Sequence, residues 1–485
     1  MRAGPVLGVD VGTSSTKAVL FDPEAGVLGT GAGAHPVDTP HPGHAEQDPE
    51  DWYGSVRLAV RTALAVAGVP GDAVTALAVS GQGAALVALD EAGKPLRPAI
   101  IHLDQRAEAE AAALAQSPLG ADIRRAHGAA VGAWNAGAKI SWLRRHEPES
   151  ATAATYTSAS GFVLRRLTGQ SWQSHSDAGI SDLYDLAGRR WSPAALEALD
   201  LAPDRLPALA AGTSALGPLT PAAAADLGLR SRCAVVAGGE DTSSAALAAG
   251  VTGSARGFLS MGTAAVLGVA LRRDLGGSTA LLRFPHVLDG LDLLSGSTAT
   301  VGAALAWLGD LLDRTPQELL DLAAAAPPGA DGVDFLPHLA GSLHPVDDPA
   351  ARGAFTGLSL ASSPGALARA VVEGTAAAIS DNLAAARDAG AEPDELAAVG
   401  GPTRSPLWCQ AVADATGLPV ALCGPDGAPL GDAFLAAAES DAEAAALAAA
   451  HVQIRRRYEP SPDGAEAATA RRARLDRVYQ ATVER

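Results

Sequence analysis

The sequence predicts an α/β protein built from two similar domains, and three observations carry that prediction. Apolar strand-like runs come in pairs separated by helical stretches. A strand, Gly-Thr turn, strand pattern occurs twice, about half a chain apart. The 485 residues are also enough for two hydrophobic cores. The elements follow in order. Residues 6–10 are an apolar strand that ends in the carboxylate of Asp10, Gly12-Thr13-Ser14-Ser15 is a turn, and residues 16–21 form a second strand. Residues 26–33 extend the meander. Asp48 can cap a helix that Pro49 opens. Strands are expected at 74–79, 84–89 and 98–103. The pattern returns with a strand at 233–237, the turn Gly238-Gly239-Glu240-Asp241 and a helix over 242–249. Strand 257–260, the turn Gly262-Thr263 and strand 264–270 repeat the first hairpin. Glycines and small residues cluster at 245–253, which divides the chain into domains 1–244 and 245–485. From Leu435 the chain reads as an Ala/Glu/Arg-rich helical region, with Arg455 to Arg457 on a solvated helix face.

Composition removes several function classes. Apolar residues make up 48% and charged residues 19%, the balance of a folded globular protein. The net charge is −18 and no basic stripe is present, which argues against nucleic acid and anionic membranes as partners. No apolar run reaches the roughly 18 residues of a membrane span. The N-terminus enters a strand at once, leaving no room for a secretion signal. Cys233, Cys409 and Cys423 are scattered, which fits a reducing cytoplasm and gives neither a disulfide framework nor a metal site.

The two hairpins carry chemistry. Glycine lets backbone approach a ligand, and consecutive N–H groups in a tight turn attract an anion. Gly12, Thr13, Ser14, Thr16 and Lys17 are therefore phosphate candidates, and Asp10 is placed to hold Mg²⁺ directly or through water. An ordinary β-hairpin with polar turn residues explains this segment alone equally well. The second turn, Gly262-Thr263, tips the balance toward a shared polyphosphate. Asp241 follows a strand and two glycines, where a carboxylate can take a hydroxyl proton. A helix N-cap is the plainer role for the same residue, and Glu240 is a competing base. Gly400 and Gly401 form a glycine-rich strand-to-helix turn suited to a base or ribose. Neither a Walker A loop nor a G-x-G-x-x-G fingerprint is present.

Taken in order, these pieces resemble the FGGY carbohydrate kinases of the actin/hexokinase/Hsp70 superfamily. The resemblance rests on Gly8 to Ser14, Glu46 to Trp52, Ser80-Gly81-Gln82-Gly83, Pro98 to Arg106 and Lys139-Ile140-Ser141-Trp142-Leu143. It continues through Asp177-Ala178-Gly179, Gly238 to Asp241, Ser260 to Thr263, Gly302 to Leu308, Gly353 to Leu358 and Gly400 to Ser405. It implies two ribonuclease-H-like domains with an interdomain cleft, the first binding sugar and the second ATP with Mg²⁺. Asp241 and Asp10 become the catalytic pair, with Asp10 on the metal. Gly262 and Thr263 form the second phosphate loop, and Gly302, Gly400 and Gly401 line the adenosine pocket. Gln82, Gly83, Ala84, His102, Asp104, Trp134 and Asp241 fall at substrate positions. Family members are often homodimers.

The departures lie at the sugar. Xylulokinase members carry Met-His after the glutamine and glycerol kinases an Arg-Glu pair in that region, whereas this chain has Gly83-Ala84-Ala85, with no polar side chain. Trp134 takes the place of a sugar-facing tyrosine in glycerol kinases. The implied activity is ATP-dependent phosphorylation of a ketopentose, D-xylulose first. The alternatives are another ketose or polyol (ribulose, an erythritol-like polyol, glycerol), or a non-catalytic ATP- or sugar-binding regulator on the same fold.

Overall fold

The computed structural model describes residues 1–275, 279–424 and 427–483. The chain forms two compact units. The first comprises Met1–Thr252, Arg283–Leu293 and Asp426–Val452, and the second comprises Gly253–Leu282, Leu294–Pro425 and Gln453–Arg485. The expected division after residue 244 falls inside the helix Asp241–Ala248, which belongs whole to the first unit.

In the first unit β1 (Val6–Val11), β2 (Ser15–Asp22) and β3 (Gly26–Ala34) form the expected meander. All six residues of β1 are buried, which is why it reads as an unbroken apolar run. Helix α1 (Pro49–Ala67) starts as its sequence dictates. The Asp48 side chain accepts from the Glu50 N–H, Pro49 takes the first turn, and Gly68 closes the helix in the left-handed region. Its Trp52, Val56, Val60 and Ala63 recur at helical spacing and bury against the sheet. Then come β4 (Ala76–Gly81), α2 (Ala136–His146), β5 (Ala215–Pro218), β6 (Ala234–Val236) and α3 (Asp241–Ala248). Two expected strands shrink. The one at 84–89 keeps only Val87–Leu89, and the one at 98–103 keeps only Ala99–Ile100, whose partner is the two-residue strand Glu46–Gln47.

The second unit repeats the plan. Its elements are β7 (Arg256–Met261), β8 (Ala265–Arg272), α4 (Gly302–Leu312), α5 (Pro364–Asp388), β9 (Glu395–Gly400), α6 (Pro406–Thr416) and β10 (Val420–Cys423). The chain then returns to the first unit as α7 (Gly427–Ala437) and finishes in the second with β11 (Ile454–Tyr458) and α8 (Pro462–Val483). The first sheet runs β3-β2-β1-β4-β6-β5, and five strands of the second run β8-β7-β9-β10-β11. From the hairpin outward the two sheets share one sequence of directions. An antiparallel pair is followed by two parallel pairs and an antiparallel edge. This is the two-domain α/β architecture of a duplicated module.

Helix α7 covers the face of the first sheet opposite α1. Phe434 meets Phe21 edge to face at 5.2 Å, in a cluster with Val6, Val19 and Ala433. The approach is so close that a Cβ on Gly8 of β1 would lie 1.8 Å from the Pro429 carbonyl oxygen. Arg455 to Arg457 are exposed, but on the edge strand β11 and not on a helix. Strand pairing with β10, through Val420↔Tyr458 and Leu422↔Arg456, overrides the local helical pattern there.

Candidate functional site

Asp10 lies near the end of β1, where parallel β4 places Ser80 beside it in register. The Ser80 hydroxyl donates to Asp10 Oδ1 at 3.3 Å. Asp10 is only 9% exposed, and burial first, then the nearby Asp241 charge, raise its carboxyl to about 7 against the opposing pull of Lys17. Asp241 is half-buried as the first residue of α3. It is not the N-cap of that helix. Glu240 is, its carboxylate accepting from the Ser243 N–H at 2.9 Å. The two neighbouring carboxyls thus divide: Glu240 is buried and Asp241 reaches solvent. Burial and the Asp241 charge push Glu240 well above the usual carboxylate range.

A fourth acid was not legible as a site residue. Asp432 of α7 is fully buried, and its Oδ1 accepts from Ser244 Oγ of α3 at 2.8 Å. Its Oδ2 has no hydrogen-bond partner, and burial raises the carboxyl well above its ordinary value. The signal was available: Asp432 is the one charge in the apolar run Ala428 to Ala438. Among the described residues no cluster of three or more His, Cys, Asp or Glu forms an all-protein metal site. The donors suit a Mg²⁺ ion instead, which binds through one or two carboxylates plus water and phosphate oxygens. The carboxylate of Asp10 and the Asp432 oxygen that has no partner could offer such an ion its protein ligands.

Behind the first hairpin, buried polar groups hold the turn. Gln47 Nε2 donates to the Thr13 carbonyl at 2.7 Å, and a His35 ring nitrogen lies 2.9 Å from the Gly12 carbonyl oxygen. Thr13 is half-buried and Ser14 exposed, so both fit phosphate contact. Lys17 is exposed opposite Asp10. Thr16 does not join them. It is fully buried against Ser55, with 2.6 Å between hydroxyl oxygens, because alternation along β2 turns it to the other face.

The sugar candidates divide in the same way. Gln82 Nε2 donates to Gln47 Oε1 at 2.8 Å, which ties the 81–85 turn through Gln47 to the first hairpin, and Gln82 Oε1 is buried without a partner. Gly83 is half-exposed, and Ala84 is buried with φ +60°. A left-handed alanine costs about 1–2 kcal/mol. The Lys139 ammonium, itself fully buried, donates to the Ala84 carbonyl at 2.5 Å. His102 has a buried Nδ1 with no partner, and burial plus Lys139 lower its ring, keeping it neutral. Asp104 is committed elsewhere. Both oxygens bind Arg106 at 2.8–3.0 Å and one takes the Ala45 N–H at 2.6 Å, so it clamps a loop and offers no free acceptor. Trp134 is half-buried just before α2.

The second unit holds a cavity of about 1040 Å³, large enough for a nucleotide. Gly262, Thr263, Gly302, Trp307, Gly401 and Arg404 are among its lining residues. Its geometry needs glycine. A Cβ on Gly302 would sit 2.6 Å from the Gly262 carbonyl oxygen, and the Gly302 N–H donates to that oxygen at 3.0 Å. The N-terminus of α4 is thereby held against the Gly-Thr turn. Gly400 has φ +104°, and its Cβ would meet the Met261 carbonyl at 1.9 Å. It braces the turn behind the cavity, which Gly401 lines.

Models of the N-terminal and C-terminal domains of the FGGY family of carbohydrate kinases match residues 5–248 and 257–440. The chain is 33% identical to a xylulose kinase of Escherichia coli (strain K12), over 85% of this chain and 84% of that one. It is 29% identical to a glycerol kinase of Rhodospirillum centenum, over 86% and 85% of the two chains. A solved xylulose kinase structure from Brucella ovis superposes with a TM-score of 0.92 at 32% identity, covering 98% of this chain and 99% of that one. The chain belongs to the FGGY family of carbohydrate kinases and is an ATP-dependent enzyme of that class.

Proposed function

We propose that the protein transfers the γ-phosphoryl group of ATP to a hydroxyl of a ketopentose, D-xylulose first, with Asp241 as general base. The observation that carries this reading is the split between Glu240 and Asp241: one carboxyl is buried as a helix cap, and its neighbour stands open on the first turn of α3. The likeness to xylulose kinases supports the sugar. In this reading the first unit binds the sugar near Gln82 and Asp241, and the second holds the nucleotide in the cavity beside Gly302. As the sugar oxygen bonds to the γ-phosphorus and the bond to ADP breaks, the hydroxyl proton passes to the Asp241 carboxylate. The N–H groups of the two Gly-Thr turns neutralise charge on the transferring oxygens. Asp10 would hold Mg²⁺, with Asp432 behind it, and the ion would offset phosphate charge.

The test is ADP release from ATP and Mg²⁺ across ketoses, aldoses and polyols. D-xylulose is expected to give the highest kcat/KM. Asp241→Asn is expected to lower kcat by about 10²–10⁴-fold while ATP still binds. Unchanged turnover in that variant would remove Asp241 as base. A polyol at the head of the panel would favour the glycerol-like reading, which the likeness to a glycerol kinase supports.

A further inference from the structure

We infer that Lys139 is a positioning residue for substrate specificity: it holds Ala84 in the left-handed conformation through the Ala84 carbonyl, and thereby sets the turn from Gln82 to Ala85 that meets the sugar. This rests on the reading of the first unit as the sugar site.

Three observations carry it. Lys139 is fully buried on α2, yet among the described residues its ammonium makes no ion pair and spends a short bond on one backbone carbonyl. A buried charge is expensive unless paired, and the one hydrogen bond its ammonium makes among the described residues goes to the Ala84 carbonyl. Second, the residue it grips is strained. Ala84 sits at φ +60°, where an alanine stays only if its surroundings hold it. Third, this turn has lost side-chain readers. Residues 83–85 offer no polar side chain, and a Cβ on Gly83 would come within 2.8 Å of Ile180 and 3.5 Å of Glu240. With no polar side chain on these residues, the conformation of the turn is what remains to define the surface that meets substrate. The charged groups around the ammonium are Asp104, Asp182 and Arg106, with His102 beside it. Burial leaves Lys139 lowered to about 7.

A cycle of Lys139→Met and Ala84→Gly tests this, because glycine adopts positive φ without strain. With the best sugar of the panel, Lys139→Met is expected to raise the sugar KM about tenfold, with the ATP KM unchanged. In the Ala84→Gly background the same lysine change is expected to raise it less than about twofold, since the strain it opposes is gone. Equal effects in both backgrounds, or a rise in the ATP KM alone, overturn the inference. The same four proteins are unfolded in urea, where the destabilisation by Lys139→Met is expected to be smaller in the glycine background. Additive losses there overturn the clamp even if a variant is inactive. If the unaltered protein shows no sugar-stimulated ADP release at all, the sugar-site reading falls, and the urea cycle alone decides whether Lys139 holds Ala84.

Discussion

Ser244 Oγ donates to Asp432 Oδ1 at 2.8 Å, joining the helix that begins at Asp241 to a helix nearly two hundred residues further along the chain. Neither group meets solvent. Ser244→Ala therefore leaves a buried carboxyl short of a donor, and is expected to cost about 1–3 kcal/mol in urea unfolding. In Asp432→Ala the same serine change is expected to cost at least about 0.5 kcal/mol less. Strictly additive losses would show that the contact contributes nothing.

The cap of the same helix gives a second expected outcome. Glu240→Ala removes the acceptor for the Ser243 N–H and is expected to lower stability by about 1 kcal/mol. Glu240→Gln keeps an acceptor, and replaces a carboxyl that burial and Asp241 push well above the usual carboxylate range. Its stability is expected to stay within a few tenths of a kcal/mol of the parent. Equal losses in the two variants would show that the capping acceptor is not what the helix needs from Glu240.

Asp177 makes the stability pH-dependent. Burial, only partly offset by the hydroxyls of Ser158 and Ser160, raises it to about 6 from an ordinary value of 3.8. The folded state thus keeps a proton that the unfolded chain releases. Its contribution is fully present below pH 3.8 and is lost as pH rises to about 6. Asp177→Asn abolishes that term. The stability difference between variant and parent is expected to grow by about 2 kcal/mol in the variant's favour from pH 4 to pH 6.5, then level off. A flat difference in urea titrations across that range would refute the assignment.

The cavity of the second unit gives a fourth. Gly302→Ala puts a Cβ 2.6 Å from the Gly262 carbonyl, so the Gly-Thr turn must move. ATP affinity is expected to fall about tenfold with the sugar KM unchanged. Trp307 lines the cavity, so quenching of tryptophan fluorescence by ATP reads the loss directly. Undiminished ATP binding would place the nucleotide elsewhere.

What the sequence revealed was local. Gly12-Thr13 and Gly262-Thr263 announce their hairpins because a tight turn dictates its own residues, and Asp48-Pro49 announces its helix for the same reason. What stayed hidden depended on distant partners. Arg455 to Arg457 lie on a strand only because β10 is beside them. Thr16 and Asp104 look like ligands until Ser55 and Arg106 are seen to occupy them. Glu240 and Asp241 are indistinguishable in one dimension, and only burial separates cap from candidate base. Asp432 needed α7 folded back onto β1 before it meant anything.

That return has a consequence for biosynthesis. The strands of the first sheet leave the ribosome early, but Val6, Val19 and Phe21 stay uncovered until Phe434 has been made. The N-terminal half is thus a dependent nascent chain that must wait for almost all of translation before its second face closes. Expressed alone to residue 252, it is expected to aggregate, and a separately supplied peptide spanning α7 is expected to restore its solubility.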